Sequence, residues 1–410
     1  MTEQTDLITC DVLVAGGGMV GSALACALAE QQFKVVVVEL REPAASWPVD
    51  EVDLRVSALT RASEMILRNL GVWERMAELR VSPYREMQVW DSCGRGTIHF
   101  DAAQIGEPDL GHIVENRATQ LALWERLGAL GHVQRICPDA ISTLEAAESG
   151  CQITLESGRR ISASLVVGAE GASSPVRDMA GISSSGWAYD QHAIVATVWP
   201  ERHHGEVARQ RFMPNGPLAL LPIDDGRCSI VWSTSPQEAE RLLALDDDSF
   251  CEALGIASEQ VLGRITRVGP RAAFPLRLRN ADHYVKPGLA LVGDAAHGIH
   301  PLAGQGVNLG FLDAATLVDV LVDARQHGRA LGSLACLRRY ERARKGADVA
   351  MLGAMDAFKR LFSNENRPLA LLRNLALNLA DASGPLKLLV IKRALGLLGE
   401  LPSLARRGSR

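Results

Sequence analysis

The sequence predicts an α/β protein: a Rossmann-like unit interrupted by an inserted, mainly antiparallel β-sheet domain and followed by a C-terminal helical segment. Three observations carry that expectation. A strand, glycine turn, helix and strand open the chain. Strand-type segments crowd residues 81–111 and 183–283. A second glycine-rich stretch, VGDAAHGIHPLAGQGVNLGFLDA at 292–314, follows another apolar strand. At 410 residues the chain is also longer than one ordinary core requires.

The opening run, DVLVAGGGMVGSALACALAEQQFKVVVVEL, reads as strand 11–15, a glycine turn, helix 19–31 and strand 35–40. Gly16, Gly18 and Gly21 have the G-x-G-x-x-G spacing, which permits a tight turn, close approach of a pyrophosphate and tight helix–strand packing. Met19 and Val20 begin the helix, whose free N–H groups and positive dipole end suit phosphates. Glu39 closes the second strand, where a carboxylate accepts hydrogen bonds from a ribose. That favours NAD or FAD over NADP and does not separate the first two.

A loop and a helix over about 61–70 come next, then MQVWDSCGRGTIHFD, whose alternation around a glycine turn predicts a β-hairpin. Helical patterning returns at ATQLALWERLGAL, followed by short strands around 151–167 and a strand-rich tract with one helical insertion near 236–254. KPGLALVGDAA supplies a buried strand ending at Gly293-Asp294, and GVNLGFLDAATLVDVLVDA a helix.

Residues 292–314 admit three readings. His297 and His300 suggest a metal site, but they sit in a glycine-rich loop without a third ligand. Five glycines in a merely structural loop are entropically costly. As a cofactor cradle, the stretch places Asp294 at the carboxyl end of a parallel strand, where its carboxylate meets a polyol hydroxyl. Gly304, Gln305, Gly306, Val307 and Asn308 then begin a helix whose N–H groups meet an anion.

Gly16–Gly21 with Glu39, VVGAEGASSPVR at 166–177 and GDAAHGIHP at 293–301 resemble the three motifs of the aromatic-ring flavoprotein hydroxylases related to para-hydroxybenzoate hydroxylase. HPLAGQGVNLGFLD at 300–313 resembles the signature of the ubiquinone-biosynthesis hydroxylase family. RVSALTRASEMILRNLGVW, GHIVEN and RRYERARK look nearest to its bacterial 2-polyprenylphenol hydroxylase branch.

The resemblance implies tightly but non-covalently bound FAD, NAD(P)H as co-substrate, and hydroxylation of a polyprenylated phenol by O2, ortho to its hydroxyl, through a C4a-hydroperoxyflavin. It implies FAD-binding segments 1–80, 112–182 and 284–350, a substrate domain of 81–111 and 183–283, and a C-terminal helical region of 351–410. It adds Arg55, Arg117, Glu170, Gly293 and Pro301 to the cofactor residues; Glu170 stands where the family usually has Asp. No substrate base is assigned. His300 is the candidate, since histidine titrates near neutrality, although Pro301 and its glycines read equally as backbone shaping. Tyr189, His192 and Trp232 either line the pocket or are ordinary core and surface residues. A hydroxylase of soluble aromatics, or a non-catalytic flavoprotein in a biosynthetic complex, would carry the same cofactor motifs.

The net charge of −5 and the lack of a recognition motif argue against nucleic acid. Eight singly scattered cysteines suggest reduced thiols in a cytoplasmic setting, without metal or disulfides. No signal peptide or spanning segment is expected. Residues 367–410 are leucine-dense and hold eight Lys/Arg against two Asp/Glu, which suits either the inner face of the cytoplasmic membrane or a helical hairpin packed on protein.

Overall fold

Strand Ile8–Ala15 organises the first layer of the computed structural model, which describes residues 7–48, 50–92, 96–298, 306–362 and 400–406. Its parallel neighbours are Arg160–Gly168 on one side and Val35–Val38 on the other. Leu289–Leu291 and Val133–Ile136 continue the sheet in parallel on either side, and Val285–Lys286 pairs antiparallel outside Leu289–Leu291. The Val35–Val38 run is wholly buried, as a strand covered on both faces must be. Val133–Ile136 is short and largely polar, so its sequence carries no strand signal.

The helices are α1 (Met19–Glu30), α2 (Arg61–Asn69), α3 (Trp73–Leu79), α4 (Asn116–Ala129), α5 (Pro175–Met179), α6 (Pro236–Leu243), α7 (Asp247–Ala257), α8 (Gly306–Gln326) and α9 (Leu334–Phe362). Helices α1, α4 and α8 share one apolar core with the parallel sheet. The expected single insertion near 236–254 is two helices. Ser235 caps the first and the Asp246 carboxylate accepts the Ser249 N–H to start the second, so the chain stops and restarts there.

The second large sheet runs His297–Gly298, Ile265–Ala281, Ser184–Pro200, Cys228–Thr234, Leu218–Pro222, Val207–Phe212, Glu86–Asp91, Thr97–Asp101. All neighbours are antiparallel except Val207–Phe212 against Glu86–Asp91. One face is covered by α6 and α7, where Ile194, Ile230, Trp232, Phe250 and Leu254 form a core. The opposite face presents Ala208, Ala219 and Leu221 to Ala58, Tyr84 and Ile113 of a small sheet, Val56–Leu59, Gly111–Glu115 and Val81–Tyr84. The small sheet thus joins the two layers.

Residues 400–406 return to the first layer: the Leu404 carbonyl accepts from Asn69 of α2, and Asp319 of α8 accepts the Ser403 N–H. The rest of the expected C-terminal helical region, 363–399 and 407–410, lies outside the described residues.

Candidate active site

All three motifs meet at the carboxyl ends of the parallel strands. The Ala169 N–H donates to the Ala15 carbonyl and the Val292 N–H to the Gly168 carbonyl, which ties each motif's turn to the next. Gly16 has φ +98°, and a Cβ there would lie 2.6 Å from the Ala169 carbonyl oxygen. A Cβ on Gly21 would lie 2.0 Å from the Gly16 carbonyl oxygen. Val20 wedges α1 into the third motif: a Cβ on Gly310 of α8 would come within 2.5 Å of its Cγ2, and one on Gly293 within 3.3 Å. Gly18, by contrast, faces open space.

That open side has the properties of an anion cradle. Gly18 is the N-cap of α1, no side chain caps the helix, and its first turn holds no acid. The Glu39 carboxylate stands at the rim, accepting the Gly17 N–H at 2.5 Å and the Arg41 N–H at 3.0 Å. Met19 and Val20 contribute the first-turn N–H groups.

Asp294 is solvent-accessible, yet burial raises its carboxyl above the ordinary range, with the charges of His297 and Arg55 opposing. Among the described residues its carboxylate has no hydrogen-bond partner, so the acceptor is available to a polyol. Arg55 is exposed and close enough for its charge to act on Asp294.

Other expected cofactor residues are engaged with protein. The Asn308 carboxamide donates to the Ala58 carbonyl at 2.8 Å and accepts the Thr60 N–H at 2.9 Å, pinning the start of α8 to the small sheet. Gly306 and Val307 remain as the first-turn backbone of α8, which carries no acid there. Glu170 accepts from the Ser174 hydroxyl at 2.6 Å and the Val176 N–H at 3.1 Å, so its carboxylate caps α5. Arg117 pairs with Glu51 and Glu115 and stacks over Trp47 at 4.4 Å. His300, Pro301, Gly304 and Gln305 lie outside the described residues.

Trp232 is buried beside Phe250, 6.2 Å between centroids, and also lines a small pocket with Arg211, Met213 and Asn215. His192 pairs with Thr234 on that same helix-covered face, and Tyr189 meets Trp187 edge-on at 6.2 Å. Phe274, which no sequence pattern singled out, is 41% exposed and pairs with Ala193 on the face opposite α6 and α7.

The protein is similar over its length to known flavoproteins. The family model described as "FAD binding domain" matches residues 9–352. The 3-demethoxyubiquinol 3-hydroxylase of Escherichia coli is 42% identical over 94% of this chain and 98% of its own. The chain belongs to the ubiquinone-biosynthesis FAD-dependent hydroxylases. Within that hydroxylase family, Ubiquinone hydroxylase UbiL of Rhodospirillum rubrum is 40% identical over 100% of this chain and 95% of its own. The mitochondrial ubiquinone biosynthesis monooxygenase COQ6 of Mus musculus is 38% identical over 92% of this chain and 89% of its own. In fold, the p-nitrophenol 4-monooxygenase PnpA from Pseudomonas putida superposes with a TM-score of 0.78 at 18% identity, covering 96% of this chain and 100% of that one.

The hydroxylase is a flavin-dependent monooxygenase with FAD as cofactor. The open side of Gly18, the uncapped α1 and Asp294, which has no hydrogen-bond partner among the described residues, fit that dinucleotide.

His297 adds a pH dependence. Burial acts to lower its pKa, but the adjacent Asp313 carboxylate overrides this and lifts it from 6.5 to about 9. The folded state then holds this proton more tightly than the unfolded chain, so the stability it contributes is complete below pH 6.5 and is lost as pH rises through about 9. Thermal unfolding followed across that window should show a falling midpoint, and His297→Gln should flatten the slope.

Proposed function

We propose that the protein hydroxylates the aromatic ring of a polyprenylated phenol, ortho to the existing hydroxyl, as a ring-hydroxylation step of ubiquinone biosynthesis. The similarity over nearly the full length of a relative named as a 3-demethoxyubiquinol 3-hydroxylase carries this reading. FAD, when bound, would supply the redox chemistry that links NAD(P)H to O2. One oxygen atom enters the ring and the other leaves as water, with NAD(P)H providing the two electrons.

The chain's own residues bind and shape. Gly16, Gly18, Gly21, Glu39 and Asp294 hold the dinucleotide. The face of the large sheet opposite α6 and α7 carries an apolar row in register, with Ala272, Val195, Val231 and Ala219 aligned across four strands and Phe274 in the adjoining row. Such a face excludes water and favours a prenylated ring over a charged one. We assign 1–80, 112–182 and 284–350 to the FAD-binding unit and 81–111 with 183–283 to the substrate unit.

No helix among the described residues is long and apolar enough to cross a membrane. We place the enzyme in the cytoplasm, peripheral to the inner face of the membrane where such a lipid resides, with partners of the same pathway. Stopped-flow measurement of NAD(P)H oxidation tests the substrate class. A polyprenylphenol should accelerate it at least ~tenfold over basal turnover, a difference of about 1.4 kcal/mol in the barrier, and more than an unprenylated phenol does. Equal stimulation by both phenols would contradict the lipid assignment, and stimulation by neither would contradict the hydroxylase reading.

A further inference from the structure

Four ionisable side chains close a buried ring directly behind the Gly293–Asp294 turn. Asp313, in the third turn of α8, accepts the Gly293 N–H at 3.0 Å and His297 Nε2 at 2.6 Å on one carboxylate oxygen. Its other oxygen accepts Arg344 Nε of α9 at 2.6 Å. Arg344 donates onward to Asp348 at 2.6 Å, and the second Asp348 oxygen lies 3.6 Å from His297. Asp313 and Asp348 are fully buried and His297 is 1% exposed.

His297, Asp313 and Asp348 converge as cation ligands would. Arg344, however, hydrogen-bonds both carboxylates and already supplies the positive charge there. Burying ions costs several kcal/mol each, so such a cluster is poor evidence for stability, and what it holds in place is the better question. It holds the Gly293 N–H. Gly293 has φ +59°, a left-handed conformation immediately before the exposed Asp294.

We propose that Asp313, clamped by His297 and Arg344, is a positioning residue of the flavin site that sets the Gly293–Asp294 turn and thereby the affinity for FAD. The charges support the clamp. Despite burial, His297 and Arg344 hold the Asp313 carboxyl below the usual range, whereas burial and the neighbouring Asp313 push Asp348 up to about 7. The charge is therefore concentrated on the carboxylate that touches Gly293.

Tyr340 supplies a control. It is fully buried on α9 one turn before Arg344 and donates to the Leu291 carbonyl at 2.7 Å, beside the turn but outside the ring. Apoprotein prepared from the flavinated enzyme would be titrated with FAD, following flavin fluorescence quenching, alongside thermal midpoints of the apo forms.

Asp313→Asn should weaken FAD binding at least ~tenfold in folded apoprotein, the scale expected for losing a charged hydrogen bond. Arg344→Lys, which keeps the charge without the fork, should give a smaller loss. Tyr340→Phe should lower the midpoint while leaving FAD affinity within ~twofold, a change below about 0.4 kcal/mol. If Asp313→Asn does not fold, His297→Gln carries the test with the same expected weakening. Unchanged affinity in the folded ring variants, or equal losses in them and in Tyr340→Phe, would overturn the proposal.

Discussion

Replacing Gly21 by alanine should abolish purification with bound FAD. The added Cβ would sit 2.0 Å from the Gly16 carbonyl oxygen and 3.1 Å from the Ala169 Cβ. The nearest obstacle is backbone, in the turn that must approach the pyrophosphate, so α1 would have to shift away from it. Overpacking of this kind costs about 1–3 kcal/mol, which lowers affinity by roughly tenfold to a hundredfold if it falls on the bound state. Gly18→Ala separates packing from ligand space. Its Cβ meets nothing within 4 Å, so the variant should fold as the wild type does while still binding FAD more weakly. The flavin-to-protein absorbance ratio after purification, with the thermal midpoint of each apo form, reads both effects.

Asp294→Ala should lose FAD without loss of fold. The side chain is accessible and contributes no hydrogen bond to the described protein, and burial already disfavours its charge, so its removal does not destabilise the apo form. What is lost is a charged acceptor for the cofactor, worth about 1.5–3 kcal/mol, or a tenfold to hundredfold fall in affinity. Purified Asp294→Ala with full yellow flavin occupancy would contradict the role given to this residue.

The cofactor side of the molecule was legible because its constraints are local. Gly16–Gly21 and Glu39 belong to one strand–helix–strand unit, and Gly293–Asp294 ends one strand. The tertiary constraints were not legible. Arg344 and Asp348 lie in the charge-rich RRYERARKGAD segment, where their spacing looks like an exposed helical face; only the packing of α9 on α8 turns them inward onto Asp313. Asn308 enters the sequence reading through the backbone N–H groups at its helix start, and nothing in the local pattern shows that its carboxamide binds Ala58 and Thr60. The small sheet escaped notice because its strands, Val56–Leu59, Val81–Tyr84 and Gly111–Glu115, are short and separated by helices and a hairpin. Trp232 was open to either a pocket or a core reading. Strand alternation places it with Ile230 on the helix-covered face, while Phe274 takes the opposite one.

The central claim is that this FAD site delivers one atom of O2 to a prenylated phenol. Purified, FAD-loaded enzyme would be given NAD(P)H, isotopically labelled O2 and a polyprenylphenol in detergent micelles, and the extracted lipid analysed by mass spectrometry. A product carrying one labelled oxygen on the ring, ortho to the original hydroxyl, is the predicted result. Recovery of unmodified polyprenylphenol while NAD(P)H is consumed to hydrogen peroxide would contradict it.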